Sequence, residues 1–238
     1  PGRSISEAAS KASLNGLRVR SGMLSSSGFQ VCRQAYQSTA PRKAANFRSP
    51  LSQLHGRFVR IMPRLFTALE IPPEIGLTLS TMRGGLPGAR WMDPSDYHIT
   101  LRFFGDVDGR TTCGMASDLG NIASPPLMMA LDALESFGGD KPRSVFARAM
   151  ASPALSSLQA DHERIARQCG LQPEGRRFRP HVTLARLRGV SPLDVADYLS
   201  SQAIVAPLRF VARRFVLMSS RASVGGGPYV VEAAYPLA

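Results

Sequence analysis

From about residue 62 the chain alternates between short apolar runs and Gly- or Pro-marked breaks, whereas the preceding stretch shows no sustained period. Leu65 to Ile71 reads as an apolar strand stopped by Pro72-Pro73. Ile75, Leu79 and Met82 then recur at helical spacing, with Pro73 at a helix start and Gly84-Gly85 at its end. Ala89 to Met92 is a short extended piece, Asp93-Pro94-Ser95-Asp96 a turn, and His98 to Phe104 a strand closed by Gly105. Arg110 to Asn121 reads as a helix, Leu127 to Leu134 and Ser144 to Met150 as strands around a turn at Phe137 to Asp140, and Ser152 to Cys169 as a long helix. In that helix Leu155, Leu158, His162, Ile165 and Cys169 form one stripe, so His162 is expected as a hydrogen-bonded histidine at the core boundary. His181 to Arg186 is the next strand, Ser191-Pro192 opens a helix to Ser200, and Leu208 to Met218 and Tyr229 to Tyr235 close the chain as two strands. The loop Gly225 to Pro228 between them is a candidate lid or rim element. This order predicts an α+β fold of two lobes, each an antiparallel sheet covered by helices.

One tetrad repeats. His98-Ile99-Thr100-Leu101 returns as His181-Val182-Thr183-Leu184, and the two copies hold two of the four histidines. Successive strand side chains point to opposite faces, so each copy sets a histidine and a threonine on one side and two apolar anchors on the other. If the lobes are related by an approximate two-fold axis, both polar faces converge on one central cleft.

Charge changes the picture little. The formal charge of +12 would point toward nucleic acid. Residues 1 to 61, however, carry ten Lys or Arg against Glu7 alone, and the remainder has nineteen basic against sixteen acidic groups. The positive field belongs mainly to a Ser-, Arg- and Pro-rich stretch that reads as a disordered N-terminal extension, with the folded domain at 62–238. His55 lies in that extension and is assigned nothing. Cys32, Cys113 and Cys169 form no CxxC pair and read as reduced thiols of a cytoplasmic protein. No apolar run is long enough for a membrane span, and no histidine or cysteine spacing calls for a metal or other cofactor.

Two imidazoles near neutral pKa, held across one substrate, suit phosphodiester hydrolysis. One takes a proton from water while the other gives one to the departing oxygen. Thr100 and Thr183 can donate hydrogen bonds to phosphoryl oxygens. Arg186 is the expected cationic clamp, although strict alternation places it opposite His181, so the strand must twist, bulge or end before it. Arg102 has the parity of His98 and is the alternative clamp. Trp91, Phe104, Phe178 and Tyr229 are candidate stacking surfaces for a base.

The segments Met62 to Glu70, Leu86 to Trp91, His98 to Gly105 and Phe178 to Arg186 resemble those of the RNA 2',3'-cyclic phosphodiesterases, also called 2'-5' RNA ligases, of the 2H phosphoesterase superfamily. The resemblance covers residues 62 to 238. It implies a bilobal fold of two antiparallel sheets with outer helices and a central cleft. It also implies metal-independent hydrolysis of an RNA 2',3'-cyclic phosphate end to a 2'-phosphate, with reversible 2'-5' ligation in some members. Within that pattern His98 is the proton donor, His181 the acceptor, and Thr100, Thr183 and Arg186 the phosphate ligands. The expected protein is a monomer whose partner is RNA with a cyclic phosphate end. The rival readings are an RNA-binding module without chemistry and a 2H phosphodiesterase acting on a small cyclic nucleotide.

Overall fold

Leu65 to Leu69 is buried at every position, as expected of a strand covered on both faces, and it forms the middle of β1 (Arg64–Glu70). The computed structural model describes residues 64–202, 204, 206–220 and 229–238. The basic extension 1–61, with His55 and Cys32, and the loop 225–228 lie outside the described residues. After β1 the chain runs through α1 (Pro73–Ser80), β2 (Ala89–Trp91), a 3-10 turn at Pro94–Asp96, β3 (His98–Asp106), α2 (Gly109–Leu119), β4 (Leu127–Phe137) and β5 (Ser144–Ala149). It then continues through α3 (Pro153–Gln168), β6 (His181–Leu187), α4 (Pro192–Ser201), β7 (Leu208–Ala212), β8 (Arg214–Ser220) and β9 (Tyr229–Pro236).

Local chemistry explains the helix starts. Pro73, Pro153 and Pro192 each open a helix, where the missing amide hydrogen costs nothing. Ser152 and Ser191 accept hydrogen bonds from the backbone amides of Leu155 and Asp194, each 3.1 Å away. As expected, the α3 stripe of Leu155, Leu158, His162 and Ile165 is buried. His162 lies deeper than the core boundary: Nδ1 is 2.8 Å from the Leu158 carbonyl, and its ring meets Phe215 of β8 edge-on at 4.6 Å. Burial pushes its pKa down to about 4 against the opposing hydrogen bond, so it is a neutral packing residue at neutral pH.

The strands form one antiparallel sheet in the order β7-β4-β5-β6-β3-β1-β8-β9, with β2 added alongside β6. The α+β class stands, but the expected pair of separate sheets is replaced by two four-stranded halves joined through the pairing of Ile99 with Val182. Each half leaves its His-x-Thr strand at the inner edge, and pairing those edges satisfies backbone groups that would otherwise lack partners. The segment expected as one strand from Leu208 to Met218 is two strands broken at Arg213, and they occupy opposite halves. If the sheet were flat, β7 and β8 would stand about 29 Å apart, six strand spacings of about 4.8 Å. One intervening residue can span no more than about 7.6 Å between flanking Cα atoms. The sheet is therefore folded over so that β7 approaches β8.

The apolar anchors Ile99, Leu101, Val182 and Leu184 enter one core with Met115 and Leu119 of α2 and Leu155, Leu158 and Ile165 of α3. A smaller cluster of Leu86, Val145, Val190, Val195 and Tyr198 packs α4 on the sheet. Among the described residues no helix is long and apolar enough to cross a membrane.

Candidate active site

Two equal irregularities decide which side chains share the histidine face. β1 pairs Ala68 with Thr100 and Thr67 with Arg102, passing over Leu101. β5 pairs Phe146 with Thr183 and Val145 with Ala185, passing over Leu184. The two strands thus carry the same bulge three residues after their histidines. Before it, Ile99 and Val182 are buried while His98, Thr100, His181 and Thr183 are half-buried on the opposite face. Beyond it parity is reversed. Phe103 and Arg186 come to the histidine face and are exposed, whereas Arg102 and Ala185 turn inward.

Arg186 thereby gains the placement that ideal alternation denied it. Its charge acts on His98, which puts the two groups in one electrostatic environment. Arg102 goes the other way: 6% exposed, it forms an ion pair with Glu163 of α3 at 2.5 Å and donates a 2.6 Å hydrogen bond to the Gln172 carbonyl. These contacts hold Arg102 on the core side of the sheet, away from the histidine face. Phe104 is likewise in the core, Trp91 packs on Tyr198 at 5.7 Å, and Phe178 lies against the main core. Of the four candidate platforms only Tyr229 stands at a histidine.

With Ile99 opposite Val182, antiparallel register sets His98 across from Thr183 and Thr100 across from His181. The two motifs are related by an approximate two-fold axis through that pair. Their histidines are held alike. His98 Nδ1 is 2.7 Å from the Asp96 carbonyl and His181 Nδ1 is 2.6 Å from the Arg179 carbonyl. A carbonyl can only accept, so Nδ1 carries the hydrogen in both rings and Nε2 is left to exchange a proton. Each ring is also wedged by two aromatic rings. Phe66 and Tyr229 lie 5.1 and 5.0 Å from His98, and Phe137 and Phe146 each lie 5.0 Å from His181.

This apolar setting lowers both pKa values. Burial brings His98 down to about 4, against the hydrogen bond to Asp96, and the charges of His181 and Arg186 add to the effect. Burial also lowers His181, with the carbonyl bond of Arg179 opposing and its guanidinium reinforcing. With both values below 6.5, both imidazoles are mainly neutral at pH 7.

A model of the LigT-like phosphoesterase family matches the chain twice in succession, over residues 69–147 and 148–229, and each match contains one His-x-Thr motif. The chain belongs to the LigT-like phosphoesterases. It is 31% identical to the RNA 2',3'-cyclic phosphodiesterase of Bacillus subtilis over 132 residues, which is 53% of this chain and 72% of that one. To the RNA 2',3'-cyclic phosphodiesterase of Geobacillus stearothermophilus it is 31% identical over 51% of this chain and 41% of that one. The fold is similar to that of LigT from E. coli complexed with 3'-AMP, with a TM-score of 0.60 at 23% identity, covering 74% of this chain and 98% of that one. A protein of Thermus thermophilus gives a TM-score of 0.61 at 23% identity, covering 73% of this chain and 97% of that one.

In this LigT-like phosphoesterase the histidine face includes residues that strand alternation did not reveal. Phe103 is 51% exposed and its ring is 5.5 Å from that of Phe66. Glu135 and Phe137 lie on the part of β4 that extends beyond its apolar run. Glu135 joins Arg148 at 2.6 Å and Arg179 at 3.0 Å, and the Arg179 guanidinium stacks 4.9 Å from the Phe137 ring center. This links the residue that holds His181 to β4. The doublet Leu184-Ala185, two apolar residues in an alternating strand, was the readable sign of the bulge. The inward position of Arg102 has a direct test. Arg102→Ala strands the Glu163 carboxylate, and urea unfolding should show a loss of about 3 kcal/mol; reduced turnover at unchanged stability would instead return Arg102 to the substrate.

Proposed function

We propose that this phosphoesterase opens the 2',3'-cyclic phosphate at an RNA end to leave a 2'-phosphate. The observation that carries the reading is the two-fold pairing of the His-x-Thr strands, which sets two imidazoles with matching tautomers on one face. The names of the Bacillus and Geobacillus relatives favor a cyclic RNA end over other phosphodiesters.

In the proposed reaction His181 Nε2 takes a proton from water as its oxygen attacks phosphorus. The bond from phosphorus to the ribose 3' oxygen breaks, and His98 Nε2 delivers its proton to that oxygen. One water is consumed, leaving a 3' hydroxyl and a 2'-phosphate. Thr100, Thr183 and Arg186 stabilize the charge on the non-bridging oxygens. Phe103 offers the terminal base an exposed ring on the same face. With an RNA 5' hydroxyl in place of water, the same proton transfers in the same direction join ends through a 2'-5' bond and leave the 3' hydroxyl free.

The depressed pKa values assign the phosphate anion a second task. It enters beside imidazoles that burial holds neutral, and its charge favors protonation of His98.

Product analysis on RNA with a 2',3'-cyclic end should show a 2'-phosphate; a 3'-phosphate product would reject the assigned bond cleavage. His98→Ala and His181→Ala should each lower kcat by about 10²- to 10⁴-fold with the fold intact by circular dichroism. Substantial turnover by both variants would remove the histidines from the mechanism. The pH dependence follows from the same lowered values. A productive free enzyme needs one charged and one neutral imidazole, and both pKa values lie below 6.5. As pH rises above 6.5 the free protein loses the needed proton, so kcat/KM should fall about tenfold per unit. The upper limb of kcat should lie at higher pH, because bound phosphate raises the donor. A kcat/KM maximum above pH 7 would contradict this.

A further inference from the structure

The two-fold relation of the site is broken at the residues just beyond the bulges. On the β3 side the outward position is Phe103, in register with Phe66 of β1. The corresponding position on the β6 side is Arg186, in register with Ser144 of β5 on one flank and Arg90 of β2 on the other. Cross-strand partners project from the same face, so Ser144, Arg186 and Arg90 form one polar row leading away from the histidines. Arg90 and Arg186 are both exposed. The register sets the two guanidiniums side by side on one exposed row, and each is a fork of donors that fits phosphate oxygens. Arg102, Arg148 and Arg179 are committed to carboxylates, whereas among the described residues no carboxylate is ion-paired with Arg186. Arg143 and Arg188 are exposed at the same end of β6, where the Arg143 carbonyl accepts a 2.7 Å hydrogen bond from the Leu187 amide.

We propose that the row is a backbone track that begins at Arg186, which holds the reacting cyclic phosphate, and continues to Arg90, which binds the next phosphodiester upstream in the RNA strand and is the specificity-determining residue. The inference rests on the RNA-end reading of the site and adds a substrate preference. An aromatic surface lies on the β3 side and a cationic one on the β6 side, so the substrate is bound in one polarity: its terminal base toward Phe103, its chain toward β2. A mononucleoside cyclic phosphate has no upstream phosphodiester and cannot use the track. An oligonucleotide can.

The test compares kcat/KM for a mononucleoside 2',3'-cyclic phosphate with that for a trinucleotide ending in the same group, in the wild-type chain and in Arg90→Gln and Arg90→Lys. The wild type should prefer the trinucleotide. Arg90→Gln should reduce that preference roughly tenfold, the loss expected for one charged hydrogen-bonded contact. Arg90→Lys, which keeps the point charge, should retain part of it. In Arg90→Gln the slope of log kcat/KM for the trinucleotide against log salt should also become shallower by about one. Equal losses on both substrates, or no loss on either, would overturn the track. A wild type that opens both substrates without preference would remove the track alone, whereas one that opens neither would remove the RNA-end function as well.

Discussion

Ile99 and Val182 face each other where the two halves of the sheet meet, and the geometry of the histidine face depends on that contact. Both side chains are fully buried, each worth about 1.5–3 kcal/mol when removed from water. Their burial fixes which way the neighboring residues point. A slip of one residue in either strand would send its histidine and threonine into the core and bring its aliphatic residues out. The hydrophobic contact therefore acts as the register pin for a polar site on the opposite side of the sheet.

The bulges at Leu101 and Leu184 extend this control. Each strand runs through its His-x-Thr motif in ordinary alternation between the histidine face and the core, and then exchanges faces. The exchange has opposite chemical results in the two halves. In β3 it buries an arginine against Glu163 and exposes a phenylalanine; in β6 it buries an alanine and exposes an arginine. A nearly symmetric backbone thus presents two chemically different surfaces, an exposed aromatic ring in one half and an exposed guanidinium in the other.

The surroundings of the imidazoles serve orientation and electrostatics together. Aromatic rings hold His98 and His181 against rotation, while the carbonyls of Asp96 and Arg179 fix the tautomer. The same exclusion of water makes an imidazolium costly and lowers both pKa values. The cost is not uniform, because Arg186 acts on His98 and Arg179 on His181.

Short-range physics made much of this protein legible in its amino-acid order: the α+β succession of elements, the paired His-x-Thr motifs, their polar and apolar faces, and the helix starts at Pro73, Pro153 and Pro192. Strand alternation, helical spacing and the missing amide of proline each act within a few residues, so a linear reading reaches them. Three outcomes needed the assembled sheet: the two halves share it, Leu208 to Met218 breaks at Arg213, and Arg186 rather than Arg102 turns toward the histidines. They depend on which strand edges meet and where a partner strand passes over a residue. Arg102 and Arg186 sit at opposite parities relative to their own histidines, and only the pairing of β1 with β3 and of β5 with β6 reverses them.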